Sequence, residues 1–298
     1  MDQEHAPQSS RILLGLVAVL TISSCQVVPD IPEEDLPVLS DTLIQEPAPA
    51  PMSFQKVNRQ EAILLARRYA SHRWTPTKRN VWHGYDDQGI RVDTPDEEFR
   101  SPGLRPGWWT PGVENQGIPY KWGGFATIEE FDQGLTKGYA AGDILTTEKR
   151  AMLSQGLPTV SQSAVGIDAS GLVSRCWKLD RNHTTRELEE LCTVLESYDE
   201  LKPGDALNLS GTHIILFEQF AGPRKNALLG YEAGAPPSWK VLYDRLPVSH
   251  LKRLGYEPLR LNHMTESPEA AEVLGLRSET APAPEAPALD DDVDAPFL

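Results

Sequence analysis

The 298-residue chain is poor in cysteine, in long apolar runs and in surplus positive charge. Three cysteines are too few for a scaffold held together by disulfides. The apolar run at 12–20 is too short to span a bilayer in the usual way. The formal net charge is −15, so no excess of Lys and Arg exists to neutralise phosphates, and we expect no nucleic-acid partner.

The negative charge lies in two arms of the chain rather than in its centre. Residues 26–53 carry six acidic residues and no basic one, whereas 264–298 carry nine acidic residues and one basic one. The segment between them, 54–263, carries 26 basic and 26 acidic residues. Both arms are rich in Pro and bury too little apolar area to fold. We therefore expect a neutral domain over 54–263, a disordered tether before it and a disordered acidic Ala/Pro-rich tail after it.

Residues 1–25 have the pattern of a targeting segment. Arg11 precedes the apolar run, and Ile22-Ser-Ser-Cys25 follows it. Small residues before a Cys resemble the lipobox of bacterial lipoproteins, in which the Cys is lipid-modified and becomes the new N-terminus. The resemblance implies a membrane anchor at Cys25 and a cell-envelope location, with Gln26 favouring the outer membrane, facing the periplasm, over the inner membrane. A plain anchor helix or a cleaved signal is the alternative.

The other two cysteines, Cys176 and Cys192, have two possible states. An exported protein sits in a compartment that permits disulfides, so these thiols can pair. They can equally remain buried and free, behaving as small apolar side chains.

The first half of the domain is predicted to be mainly helical, interrupted by one long irregular segment. That segment, 75–118, is dense in Pro, Gly and Asp, and its aromatic residues Trp82, Trp108 and Trp109 predict that it packs onto the domain. A wrapping loop of this length usually has a functional role, here the rim of a substrate cleft. The predicted helices are 58–72, 128–134, 148–153, 169–177 and 185–195.

From residue 201 onward the apolar pattern changes from a helical period to alternation. Helices followed by strands indicate an α+β domain in which the helices pack on an antiparallel sheet of five to six strands. The predicted strands are Ala206–Leu209, His213–Phe220, Ala227–Ala233, Trp239–Tyr243 and Tyr256–Leu261.

The segment Gly166–Trp177 is central to this prediction, because its sequence predicts a loop that leads into a buried helix. Asp168 is a good N-cap residue, and the helix entrance collects backbone N–H groups that suit an anion or an acyl oxygen. On the predicted strands, His213 and Glu232 are placed to act as a base and as the group that orients it. A thiol beside such an imidazole would be a nucleophile.

Four ordered motifs give this pattern a family resemblance over residues 117–245. They are Pro-Tyr120-Lys-Trp-Gly-Gly, Asp168-Ala-Ser-Gly-Leu-Val, Leu-Lys-Pro-Gly-Asp205 and Gly-Thr-His213, and together they resemble the NlpC-type family of bacterial cell-wall cysteine peptidases. The resemblance implies a papain-like fold and a hydrolase that cuts D-Glu-linked bonds in peptidoglycan stem peptides.

The resemblance also implies a role for each matching residue. His213 would be the catalytic base and Glu232 the orienting residue, while Tyr120, Asp168 and Ser170 would hold the amino end of a stem peptide. The family's nucleophilic Cys maps onto Ala169, which has no reactive side chain. Three other residues are poor replacements for the thiol. The Ser170 hydroxyl points away from the direction of residue 169, Ser163 lies in the preceding loop at an unknown distance, and Cys176 lies two turns deeper in the helix.

Three functions remain open at this point. The favoured one is a lipid-anchored, catalytically silent domain that binds peptidoglycan stem peptides. The second is an active hydrolase in which Ala169 is an engineered replacement or another residue is the nucleophile. The third is a structural lipoprotein that binds a protein partner through the 75–118 segment. We expect no cofactor, no metal site and a monomer, since His183, His250 and His263 show no metal-ligand spacing.

Overall fold

The structure is a computed structural model that describes residues 56–100, 107–234 and 238–265. The signal segment and tether predicted for 1–25 and 26–53 lie outside these residues. Within the described ranges, no helix is long and apolar enough to cross a membrane.

The acidic tail predicted for 264–298 also lies outside the described part, except for its first two residues. Met264 and Thr265 pair as a parallel strand with Val57 and Asn58. These two residues, which the prediction assigns to the tail, are therefore paired with the start of the domain.

The described residues form six α-helices and two short 3-10 helices. Several begin at a side chain that accepts a hydrogen bond from the first turn, as at Asn58, Thr127 and Asp168. The α-helices are α1 (Arg59–Ser71), α2 (Ile128–Lys137), α3 (Thr147–Ser154), α4 (Ala169–Cys176), α5 (Thr185–Glu190) and α6 (Val248–Leu254). The 3-10 helices are Lys78–Asn80 and Tyr198–Glu200.

Most strands in the first half of the domain are only two or three residues long, and the longer strands follow residue 205. In chain order the strands are β1 (Val57–Asn58), β2 (Arg73–Trp74), β3 (His83–Tyr85), β4 (Arg91–Asp93), β5 (Asn115–Gln116), β6 (Ala140–Ala141), β7 (Ala164–Val165), β8 (Cys192–Val194), β9 (Ala206–Leu209), β10 (His213–Phe220), β11 (Ala227–Ala233), β12 (Val241–Pro247), β13 (Glu257–Leu261) and β14 (Met264–Thr265).

One six-stranded sheet forms the centre of the domain. Its strand order is β12-β11-β10-β9-β13-β8, and every neighbouring pair is antiparallel. The domain is therefore α+β with an antiparallel sheet, as the sequence predicts.

The two faces of this sheet are covered by different helices. On the first, which we call the α4 face, Ile214 and Leu216 pack with Leu172 and Val173 of α4 and with residues of α1. On the second, which we call the α6 face, Ile215 and Phe217 pack with Leu251 of α6 and with Tyr256. Alternate residues of β10 therefore belong to two separate cores, as a strand's period of two requires.

Several elements differ from the sequence prediction, among them β12, which lies at Val241–Pro247 rather than Trp239–Tyr243. Two further differences concern the kind of element that forms. The predicted helix 185–195 is wrong in its second half, because α5 ends at Glu190 and Cys192–Val194 pair with β13. Pairing with a distant strand overrides the helical periodicity there, and Thr193 and Val194 are β-branched. The second difference is α6, which the prediction lacks.

The predicted wrapping loop at 75–118 is more regular than expected. It contains the β3–β4 hairpin, and β5 within it pairs with β2. Trp109 is fully buried, and both Trp108 and Trp109 contact Trp74 edge to face. Aromatic packing of this kind holds the segment on the domain.

Asp205, of the Leu-Lys-Pro-Gly-Asp motif, ties α1 to the sheet. Its fully buried carboxylate accepts hydrogen bonds from Arg59 at 2.7 Å and from Arg260 on β13 at 2.7 Å. A buried carboxylate held by two guanidinium groups is hard to replace, because removing it takes a charged acceptor from both of them.

We expect Asp205→Asn to lower the free energy of unfolding by about 3–5 kcal/mol, since the amide keeps the shape but not the charge. The measurement is urea denaturation at pH 7. The matched control is Glu114→Gln, which breaks the solvent-exposed pair with Arg73 and should cost about 0–1 kcal/mol. Equal, small losses in the two variants would contradict the structural role given to Asp205.

Candidate functional site

Asp168 caps the entrance of α4 as the sequence predicts. Its Oδ1 accepts from the Gly171 amide at 2.6 Å, from the Ser170 hydroxyl at 3.1 Å and from Asn182 Nδ2 at 3.3 Å. The side chain is buried, and burial raises its pKa while these donors oppose the rise. The Ser170 hydroxyl therefore bonds to the Asp168 carboxylate, which also accepts from the backbone of α4.

Ala169 is the first residue of α4 and belongs to the apolar core of the α4 face. It is 7% exposed, so this position lies at the edge of the core. Its N–H group and that of Ser170 precede the first helical hydrogen bond and are free to point at a ligand.

Tyr120 lies beside this entrance because two chain segments run together. Tyr120 forms a parallel bridge with Ile167, and Asp168 N–H donates to Gly124 O at 3.3 Å. The turn approaches so closely that a Cβ on Gly124 would lie 2.7 Å from the carbonyl oxygen of Gly166. The Gly-Gly pair of the motif thus has a packing role: it lets the Tyr120 segment reach the helix entrance.

Aromatic residues close the side of the entrance next to Tyr120. The Trp239 carbonyl accepts from the Tyr120 amide at 2.9 Å and from Trp108 Nε1 at 3.0 Å. The Trp239 backbone is left-handed, with φ of 49°, and the Tyr120 and Trp239 rings lie 5.8 Å apart. Trp108 therefore brings the 75–118 segment to the site, where a cleft rim was predicted.

His213 and Glu232 lie close together, as predicted, and Tyr256 bonds to the other nitrogen of the imidazole. Glu232 Oε2 lies 3.5 Å from His213 Nε2, and His213 Nδ1 shares a hydrogen bond of 3.1 Å with the Tyr256 hydroxyl. Burial lowers the pKa of His213 to about 4 and, with help from Asp244, raises the pKa of Glu232 to about 8. Both side chains are therefore neutral near pH 7, and an imidazole with so low a pKa is a weak base.

This pair and Ala169 belong to different faces of the sheet. His213 follows the same alternation as Ile215 and Phe217, so it lies on the α6 face, where Tyr256 also packs. Glu232 lies between Tyr231 and Ala233, which both pack on the α4 face. Position 169 and the imidazole are thus on opposite faces of the sheet, and no described hydrogen bond joins them.

The sequence analysis missed a buried ion pair next to the site. Lys149 and Asp143 are both fully buried; Lys149 Nζ donates to Asp143 Oδ2, and the amide of Asp93 donates to Oδ1 at 3.1 Å. Burial raises the pKa of Asp143 to about 6 despite the nearby lysine. The pair belongs to no motif: the two residues are six positions apart, and α3 begins between them at Thr147.

The remaining cysteines are free thiols in the described chain. Cys176 is buried in the core of the α4 face, and burial raises the pKa of its thiol, so it is no substitute nucleophile. Within the part of the chain that the structure describes, no three His, Cys, Asp or Glu side chains are grouped to hold a metal.

Comparison with known proteins identifies no relative: no family model, no curated protein and no solved structure matches this chain.

The protonated state of Glu232 predicts a pH effect on stability. The pKa of Glu232 is about 8 when folded and about 4.3 when unfolded, so the contribution of Glu232 to the stability of the wild type falls as pH rises from about 5 to about 8. Gln is neutral throughout. We therefore expect Glu232→Gln to gain stability relative to the wild type by up to about 1.4 kcal/mol per pH unit across that range. Urea denaturation at pH 5, 6.5 and 8 measures the difference.

The control is Glu257→Gln on β13, whose side chain is exposed. It should show no comparable growth of the difference with pH. A Glu232→Gln difference that stays constant from pH 5 to pH 8 would mean that the buried carboxyl is already ionised.

Proposed function

We propose that this chain is an exported, lipid-anchored envelope protein whose NlpC-type, papain-like domain binds peptidoglycan stem peptides without cleaving them. The anchor would be Cys25, and the outer membrane facing the periplasm is the favoured location. The observation that carries the proposal is that Ala169 stands at the helix entrance, on the sheet face opposite His213.

The arrangement of the motifs supports the choice of domain type. A short helix, α4, begins at the Asp168 cap and packs on a central antiparallel sheet. The Tyr120 turn pairs with the strand-like segment that leads into this helix. These are the relationships expected of a peptidase of this family, and they join two of the four motifs at one helix entrance.

Two properties support a silent site. Ala169 supplies no nucleophile, and the imidazole that would activate one is neutral, buried and bonded to Tyr256. Acyl transfer needs a nucleophile within hydrogen-bond reach of its base. The described residues offer no such pair at the helix entrance, so binding is the function that the geometry favours over hydrolysis.

The entrance still has the features of a peptide-binding site. Two N–H groups at the start of α4, the partly exposed Ser170 hydroxyl and the Tyr120 ring line it, and the aromatic side formed by Trp108 and Trp239 adjoins it. A few fixed polar groups beside aromatic surface are typical of small-ligand sites.

Calorimetry with a tripeptide of L-Ala, γ-linked D-Glu and diaminopimelate tests the binding function on the full chain. We expect binding with no hydrolysis products by mass spectrometry. Tyr120→Phe should weaken binding about three- to tenfold, because it removes one hydrogen-bonding hydroxyl. The control is Tyr139→Phe, at a tyrosine that is 40% exposed on the surface. Absence of binding by the wild type would overturn the proposal.

Restoring a thiol at the helix entrance tests whether the site is catalytically silent or lacks only its nucleophile. We expect Ala169→Cys to bind the same tripeptide and not to cleave it, because His213 faces the other side of the sheet. The assay is product detection by mass spectrometry over many hours. Cleavage by this variant that disappears in the Ala169→Cys, His213→Ala double variant would show that the site is otherwise competent and would contradict the arrangement described above.

A further inference from the structure

A cavity of about 340 Å³ lies between the first two turns of α1 and the end of β10. A cavity of about 150 Å³ is large enough to hold benzene, so this one has room for an aromatic side chain and the backbone beside it. Half of its lining residues are apolar. The lining residues are Gln60, Ile63, Leu64, Pro203, Glu218 and Gln219.

Glu218 is the acidic residue of this lining, and it occupies a β-bulge. Between two neighbouring pairs of the ladder, β10 has one residue more than β11, and the extra residue is Glu218. A bulge changes the direction of a side chain. Here the Glu218 side chain is 13% exposed and lies against α1, where Arg67 Nη2 donates to its Oε1 at 3.0 Å.

The second carboxylate oxygen of Glu218 lacks a donor. Oε2 is buried and accepts no hydrogen bond from the described part of the chain. A buried acceptor without a donor costs free energy. Because Arg67 already balances the charge of the carboxylate, the missing donor need carry no charge. The cavity therefore fits an apolar side chain next to a neutral N–H group, and a peptide segment supplies both.

The chain enters the domain beside this cavity. The described residues begin at Lys56, four positions before Gln60. The Pro203 carbonyl accepts from Arg59 Nη1 at 2.9 Å, and a Cβ on Gly204 would lie 3.5 Å from the Arg59 Cα. The start of α1 thus contacts the Pro203 wall of the cavity.

Residues 52–55, which lie outside the described chain, have the composition that the cavity fits. Their sequence is Met-Ser-Phe-Gln, without charge, whereas 47–51 contain only Pro and Ala. Phe54 precedes Lys56 by two positions, so an extended backbone carries it up to about 7 Å from Lys56. The first two turns of α1 rise only about 11 Å, and the Phe54 side chain adds to the reach.

The segment after Thr265 also starts near α1, because β14 pairs with β1. It is a poorer occupant of the cavity. Three acidic residues separate Thr265 from Val273, the first large apolar residue of that segment. Their carboxylates would approach Glu218 with like charge.

We propose that residues 52–55 fold back along α1, with the Phe54 ring in the cavity and a backbone N–H of the segment donating to Glu218 Oε2. The short connection to α1 gives this segment a high effective concentration at the cavity, which favours it over a separate peptide. The docking fixes the point at which the upstream chain leaves the domain. It does not depend on what binds at the entrance of α4.

Photo-cross-linking of the full chain tests the location of Phe54. The photoreactive residue p-benzoylphenylalanine replaces Phe54, and peptide mass spectrometry maps the adducts after irradiation. We expect adducts within 60–64 or 203–219. The matched control carries the same residue in place of Leu43, and it should show no preference for these peptides.

Two results of this experiment would overturn the proposal. One is a set of Phe54-position adducts that lie elsewhere on the chain. The other is adducts between two molecules, which a mixture of isotope-labelled and unlabelled chains reveals and which would assign the cavity to a second copy.

Hydrogen exchange measures the docking without a photoreactive group. Amides 53–55 should exchange about tenfold or more slowly in the wild type than in Phe54→Ala, after correction for intrinsic rates, because burying a phenylalanine shifts an equilibrium by at least that factor. Phe54→Leu should keep most of the protection, and Leu43→Ala should keep all of it. Equal exchange in the wild type and in Phe54→Ala would mean that the segment does not dock.

Discussion

A β-strand presents each side chain to only one face of its sheet. In this domain that constraint separates His213 and Glu232 from the polar residues at the entrance of α4. On β10, Ile214 and Leu216 pack under α4, while Ile215 and Phe217 pack under α6. Both faces are covered, so the register of β10 is strongly specified. His213 lies on the same face as Ile215, and this places its imidazole within hydrogen-bond distance of Tyr256.

On the opposite face, hydrogen bonds hold the residues at the helix entrance in place. The carboxylate of Asp168 accepts from the helix, from Ser170 and from Asn182, and the Gly124 turn packs against the segment before it. These contacts give the motif residues a structural role that does not depend on chemistry at position 169. A domain with Ala at position 169 can therefore keep the motif, since the motif also builds the fold.

Local patterns predicted much of the fold correctly. Strands β9, β10 and β11 occupy the predicted residues, α1 begins one residue after its predicted start at Asn58, and α4 follows its predicted cap, Asp168. The errors fall where distant pairing decides the structure. Residues 192–194 continue a helical pattern in the sequence but join the sheet through β13, and the ends of the domain pair through β1 and β14.

The sequence by itself determined that a capped helix begins at Ala169, that this position carries no nucleophile, and that the acidic charge lies outside the domain. Those properties depend on residue identity and on neighbours a few positions away. Only the tertiary structure decided that His213 and Glu232 face away from α4, and that Lys149 and Asp143 meet as a buried ion pair. A shift of one residue in a strand reverses the face, and a buried charge is identified only by everything that packs around it.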